Sequence, residues 1–146
     1  MRNLKVILVE DSLAVRERLA ASLRNIKGVE LIGEYEEATT AIDGIRDGAP
    51  DVVLLDIKLR GSNGLDVMRF ISHTKIDAKV IVLTNYAEPQ YRQIFLRQGA
   101  YAVLDKSHEF DRVEGILLSR IDGKRPPPTT YTRLDSGTSV VLSFFL

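Results

Sequence analysis

Four short stretches of this chain, residues 4–9, 52–55, 80–83 and 102–104, are rich in Val, Ile and Leu with no polar alternation. Strands that read this way are buried on both faces, as in a parallel sheet covered by helices above and below. Each stretch runs into polar groups: Glu10-Asp11, Asp56, Thr84 and Lys106 in turn. In an open parallel sheet, side chains just past the carboxyl ends of the strands converge on one crevice. Residues far apart in the chain are therefore candidates for a single site.

Segments of helical spacing separate the apolar runs, so the pattern is βα repeated five times. Residues 13–25 carry Val15, Leu19, Leu23 and Ile26 on one side, with Ser12 as N-cap and Gly28 as the stop. The next strand is Val29–Tyr35. Thr39 or Thr40 caps a short helix ending at Arg46, with Ile42 and Ile45 inward, before the turn signal Asp47-Gly48-Ala49-Pro50. A third helix over 65–74 presents Val67, Met68 and Ile71. Pro89 suits the first turn of a fourth, whose expected buried side is Tyr91, Ile94 and Phe95, with Gly99 at the C-cap. The fifth, over 110–122, uses Phe110, Val113, Ile116, Leu117 and Ile121, although Gly115 weakens it by ~1 kcal/mol relative to Ala. Short connections between strands and helices demand right-handed crossovers. The expected fold is α/β: a five-stranded parallel, doubly wound sheet with helices on both faces, of the flavodoxin-like kind.

The 146 residues, 45% of them hydrophobic, suffice for one globular core. Twenty basic side chains balance twenty acidic ones, which leaves no electrostatic footprint for nucleic acid or an anionic membrane. The absence of cysteine excludes disulfides and thiolate metal sites. No stretch approaches the ~18 apolar residues of a membrane span, and MRNLKVILVEDS has no signal-peptide apolar region. A cytoplasmic protein without membrane insertion is expected. The composition changes at Gly123-Lys124-Arg125-Pro126-Pro127-Pro128, which divides the chain into a folded unit, 1–122, and a Pro-rich linker with an apolar tail, 123–146. The tail is expected to be disordered or locally docked; its apolar end could pair as an extra strand or bury in a partner. His73 and His108 are expected at the surface, with no neighbour spaced for metal binding.

Three carboxylates, Glu10, Asp11 and Asp56, repel one another in one crevice unless a hard divalent cation neutralises them, and Mg²⁺ is the natural candidate. Asp56 could then act as a nucleophile toward phosphorus, since an acyl phosphate forms when metal and cations offset the charge. Lys106 supplies a mobile ammonium for that purpose. Thr84 can donate a hydroxyl hydrogen bond to a phosphoryl oxygen, and that bond could draw its loop inward.

The motifs Val9-Glu10-Asp11-Ser12, Leu54-Leu55-Asp56-Ile57, Gly61 with Gly64-Leu65-Asp66, Leu83-Thr84, Gly99-Ala100 and Leu104-Asp105-Lys106-Ser107 together resemble the receiver domain of two-component response regulators. The likeness covers residues 1–122, as in chemotaxis-regulator-like single-domain members. It implies that Asp56 accepts a phosphoryl group from a sensor histidine kinase or phosphotransfer protein. Glu10, Asp11, Asp56 and the backbone carbonyl of Lys58 would hold Mg²⁺, and Thr84 and Lys106 would contact the phosphoryl group.

The chain departs from the family pattern at several places. Val103 stands where many members carry an aromatic switch residue, three places before the lysine. Tyr101 is expected on the same face by strand alternation, and is read as packing or partner surface rather than as a moving switch. Ser107 replaces a common proline and Arg60 another, and Asn85 is larger than the usual small residue. Lys58 and Tyr86 occupy positions that often border the attacking water, where they are expected to lengthen phosphoryl lifetime. The expected output is a changed protein-binding face on the fourth helix, fifth strand and fifth helix, with homodimerisation one form of it and no direct nucleic-acid binding. The chain is thus read as a phosphoacceptor switch and not an enzyme. Two alternatives stand beside it: a phosphate-independent pseudo-receiver, and an aspartate-nucleophile phosphohydrolase. The latter lacks a second aspartate two places after Asp56, where Lys58 stands.

Overall fold

The period-free apolar runs become four neighbouring strands of one sheet. The computed structural model describes residues 2–59, 62–85, 88–107 and 111–121, together with two short tail strands. The elements are β1 (Leu4–Val9), α1 (Leu13–Arg24), β2 (Val29–Tyr35), α2 (Ala38–Gly48), β3 (Val52–Asp56), β4 (Lys58–Leu59), β5 (Ser62–Asn63), α3 (Gly64–Ser72), β6 (Lys79–Thr84), α4 (Pro89–Arg97), β7 (Ala102–Asp105), α5 (Arg112–Ile121), β8 (Thr129–Thr130) and β9 (Val141–Leu142). Five strands pair in parallel in the order β2-β1-β3-β6-β7. The chain starts next to one edge, crosses to β2, then returns past β1 to the far side. This reversal puts a crevice at the carboxyl ends of β1 and β3.

Alternate residues of each central strand feed two separate cores. Val6, Leu8, Leu54, Ile81 and Leu104 pack beneath Leu19 and Leu23 of α1 and Val113, Ile116 and Leu117 of α5. Ile7, Val9, Val53, Leu55, Val82 and Val103 face Ile45 of α2, Val67 and Met68 of α3 and Phe95 of α4. The sheet is therefore doubly wound, as its sequence demands. Burial on both faces is what removes the polar alternation from its strands.

Helix limits differ from the expected ones where tertiary contacts intervene. Ser12 caps α1, its hydroxyl accepting the Val15 N–H at 3.4 Å, but the helix ends at Arg24 with Asn25 as C-cap. Ile26 then tucks beneath it through a bond from its N–H to the Leu23 carbonyl, and Gly28, at φ +89°, serves the turn into β2 instead. Helix α2 starts earlier than Thr39 or Thr40 would allow: Glu37 is its N-cap residue, without a side-chain cap bond, because Ala38 is already buried. The Thr40 hydroxyl donates back to the Glu37 carbonyl. The helix runs to Gly48 and stops where Ala49 turns left-handed at φ +45°. Helix α3 begins at Gly64, capped by Asn63, whose side chain accepts the Leu65 N–H at 2.9 Å.

The largest correction concerns α4. Pro89 and Gly99 bound it as expected, Gly99 at φ +104°, but Tyr91 and Ile94 are 41% and 44% exposed. The buried side is Phe95 with Arg92, whose Nη1 donates to the Val103 carbonyl at 2.8 Å. A charged residue takes the inward position because a strand carbonyl satisfies its guanidinium. Tyr101 needs a second correction. It precedes β7 and packs with the α1/α5 core, 5.9 Å beneath the Arg120 guanidinium, whereas Val103 faces the α4 side. The two do not share a face, because strand alternation does not extend back to Tyr101.

Asp51 ties the amino ends of three strands together. Its carboxylate accepts the Lys5 N–H at 2.8 Å and both Arg2 terminal nitrogens, while its backbone bonds Lys5 O and Lys79 N. Partial burial opposes ionisation of Asp51, but the bonds from Lys5 and Arg2 outweigh it and hold its pKa below the usual carboxylate range. A lowered folded-state pKa gives stability that is full above the unfolded value near 3.8 and fades as pH falls through the folded one. Asp51→Asn is accordingly expected to cost about 1–2 kcal/mol in urea unfolding at pH 7. The gap from wild type should close at pH values below the folded pKa; an equal gap at every pH would sink this account.

The tail strands β8 and β9 form an antiparallel ribbon. The expectations attached to Arg60, Gly61, Tyr86, His108, Phe110 and Asp122, and to most of 123–146, lie outside the described residues. No helix among the described residues is long and apolar enough to cross a membrane.

Candidate functional site

Register and topology bring the polar strand ends together. Asp56 closes β3 between Val9 of β1, which pairs with Leu55, and Leu83 of β6, which pairs with Asp56 itself. Thr84 closes β6 opposite Asp105, and the Lys106 N–H donates to the Thr84 carbonyl at 3.0 Å. The Asp105 side chain accepts the Ser107 N–H at 2.8 Å, a turn that brackets Lys106. A cleft of about 540 Å³ opens over these ends, lined by Glu10, Asp11, Asp56, Lys58, Thr84 and Lys106 among others. All six residues singled out from the sequence thus border one cavity.

Glu10 and Asp56 are only 1% and 8% exposed, unusual for carboxylates. Lys106 makes this burial tolerable: its Nζ lies 2.9 Å from Asp56 Oδ2 and also ion-pairs with Glu10 Oε1. Asp56 Oδ1 accepts the Lys58 N–H at 3.1 Å, and Glu10 Oε2 accepts the Ser12 N–H at 3.1 Å. Burial works against the charge on Lys106, but the bonds and charges from Glu10 and Asp56 prevail and hold its ammonium above the ordinary lysine range. The stabilisation from this raised pKa is complete below the unfolded value near 10.5 and disappears only as pH climbs through the folded one, so the bridge is intact at neutral pH.

One carboxylate oxygen from each of Glu10, Asp11 and Asp56 lies within 4.8 Å of the others. Glu10 Oε1 is buried and, apart from its ion pair with Lys106, accepts no hydrogen bond among the described residues. Three acids against one ammonium leave negative charge over, and an all-oxygen donor set suits a hard divalent cation. The residues present fit such an ion.

Arg16 was not evident in the sequence, and Gly64, although part of the Gly64-Leu65-Asp66 motif, was not read there as a contact of the site. Arg16, in the first turns of α1, reads as a solvated helical position, yet its Nη1 donates to the Glu10 carbonyl at 2.8 Å. Gly64 reads as a turn glycine. A Cβ there would stand 2.6 Å from the Asp56 carbonyl and 2.8 Å from Ile57 Cα, so the start of α3 lies directly against the backbone of the site. Its position eight residues after Asp56, at a helix start, was the available signal.

The site is thus an acidic, lysine-bridged cleft at the carboxyl edge of a doubly wound α/β sheet. A family model, the response regulator receiver domain, matches residues 6–117, and the chain belongs to that family. It is similar to the response regulator UvrY of Escherichia coli (32% identity over 122 residues, 84% of this chain and 56% of that protein). It is also similar to the response regulator GacA of Pseudomonas aeruginosa (27% over 122 residues, 84% and 57%). The chain therefore spans little more than half the length of these relatives. Among solved structures, the receiver domain of the putative response regulator NarL from Mycobacterium tuberculosis superposes with a TM-score of 0.77 at 24% identity, covering 85% of this chain and all of that one. The response regulator domain of Thermotoga maritima CheB gives 0.71 at 25%, covering 84% and 96%. The protein is a receiver domain of two-component signalling.

Proposed function

We propose that Asp56 accepts a phosphoryl group from a sensor histidine kinase or phosphotransfer protein, and that the modified domain signals through a changed protein-binding face. The observation that carries this reading is the buried Glu10–Lys106–Asp56 bridge beside the partly exposed Asp11. A carboxylate, a cation and two further acids in one cleft are the groups that attack by a carboxylate on phosphorus calls for. Glu10, Asp11, Asp56 and the Lys58 carbonyl would hold Mg²⁺. When bound, this ion offsets the carboxylate charge and polarises a phosphoryl oxygen.

A carboxylate oxygen of Asp56 attacks phosphorus, the bond to the donor breaks, and the donor leaves with that electron pair. Lys106 then exchanges one carboxylate contact for the phosphoryl charge, its four-carbon stem allowing the move. Thr84 is buried at the end of β6, where its hydroxyl can donate to a phosphoryl oxygen and draw the following loop inward. Helix α4 begins four residues beyond Asn85 and carries Tyr91 and Ile94 outward. That helix, β7 and α5 form the face through which a downstream protein or a second copy would read the change. Residues 1–122 form the receiver and 123–146 a linker and tail.

Incubation with acetyl phosphate and Mg²⁺, read by intact mass, tests the proposal. A single phosphoryl adduct that does not form when EDTA is present from the start is expected. A folded protein that takes no adduct even from a kinase would favour a phosphate-independent binding domain, and multiple turnover on phosphate esters would favour a hydrolase.

A further inference from the structure

We propose that Arg16 is a positioning residue for the divalent-cation site, acting on the peptide that carries Asp11; the proposal rests on the cation-dependent reading above. Among the described residues, the Asp11 carboxylate makes no hydrogen bond or ion pair, whereas those of Glu10 and Asp56 are both engaged. The direction of Asp11 is therefore set by its backbone. Upstream, the Glu10 N–H donates to the Tyr35 carbonyl at 2.9 Å, which anchors the end of β1 to β2. Downstream, the Ser12 N–H is held by Glu10 Oε2. The peptide between, Glu10 to Asp11, is held at its carbonyl by Arg16.

Arg16 is itself fixed at both ends. Its backbone N–H bonds the Ser12 carbonyl at 2.8 Å in the first turn of α1, and its guanidinium lies 3.8 Å from Glu36 Oε2 in the segment between β2 and α2. Only 15% of its side chain is exposed. A guanidinium nitrogen carries two N–H groups, so the same Nη1 can hold the carbonyl and lie nearest to Glu36. Its guanidinium hydrogen bond goes to a carbonyl and not to a carboxylate of the cluster. It thus braces the Asp11 peptide while leaving the acids available to a cation. Groups that orient metal ligands in this way typically change affinity by about 10–100-fold when removed.

The test uses the full chain and Mg²⁺ as the probe. The rise of Tm with Mg²⁺ concentration gives the Kd by linkage, beside the initial rate of acetyl phosphate adduct formation at limiting and saturating Mg²⁺. Arg16→Met is expected to weaken Mg²⁺ binding about tenfold, with the adduct rate largely restored at saturating Mg²⁺. Arg16→Lys, which keeps one donor and the charge, should fall between Met and wild type. Arg24→Met, on the same helix as Arg16, breaks only an exposed ion pair with Glu34 of β2 and should bind Mg²⁺ like wild type. A Kd for Arg16→Met within twofold of wild type, or a rate deficit that saturating Mg²⁺ does not repair, overturns the proposal and leaves Arg16 as a strap between α1 and β1. Should Arg16→Met fail to fold, Arg16→Lys decides: weakened Mg²⁺ binding supports the proposal, and unchanged binding overturns it. A wild-type chain whose Tm ignores Mg²⁺ would sink the cation-dependent reading itself, so the two failures are distinguishable.

Discussion

Asp56→Asn is expected to abolish the acetyl phosphate adduct while leaving the domain folded. The amide has no anionic oxygen to attack phosphorus, and none of the neighbouring acids is placed as Asp56 is, at the end of the central strand β3. Stability should barely change. Rupture of a buried ion pair costs ~3–5 kcal/mol when it leaves a charge unpaired. Here Lys106 retains Glu10, and removing one of three clustered carboxylates also relieves repulsion. The change in unfolding free energy should therefore stay within about 1 kcal/mol. Mg²⁺ binding should weaken, since one of three anionic donors becomes neutral. An adduct of undiminished yield in Asp56→Asn would move the phosphoacceptor elsewhere. Loss of the adduct together with collapse of the fold would instead show that Asp56 is chiefly structural.

Gly64→Ala should damage stability and the site together. The added methyl would meet the Asp56 carbonyl at 2.6 Å and the Ile57 carbonyl at 3.0 Å, and these are main-chain atoms with no rotamer to yield. Gly64 also donates its N–H to the Ile57 carbonyl at 2.7 Å, so the contact cannot open without losing that bond. Overpacking of this kind typically costs about 1–3 kcal/mol. The displacement would pass into the segment that carries the Lys58 N–H, which holds Asp56 Oδ1. The expected result is a lower urea midpoint and a slower adduct rate that persists at temperatures where the variant is fully folded. Gly115→Ala is the control: a Cβ there meets nothing, and the helix should gain about 0.5–1 kcal/mol. Equal behaviour of the two variants would refute the close-approach account.

The strands were legible because burial on both faces leaves a run of Val, Ile and Leu that few other structures demand. Their polar ends were legible as one site for a topological reason: parallel strands terminate on the same edge, so Glu10, Asp11, Asp56, Thr84 and Lys106 had to share it. What escaped were side chains whose partners are backbone carbonyls. Hydropathy ranks Tyr91 and Ile94 above Arg92, yet Arg92 lies one turn from Phe95 on the inward face and is held there by Val103 O. Arg16 escaped for the same reason, its target being the carbonyl of Glu10. Tyr101 escaped because alternation was extended one residue beyond the start of β7.

The bridge between Glu10, Asp56 and Lys106 spans most of the folded chain: Lys106 and Asp56 are 50 residues apart, and each group comes from a different βα unit. No local fragment contains the cluster. During synthesis, a ribosome can release β1 through β6 with both acids in place, and those carboxylates will lack their internal counter-ion until β7 has emerged and paired with β6. The ammonium that offsets part of the cleft's charge is thus among the last parts delivered. Closure of the Lys106 bridge marks the moment at which the sheet is complete.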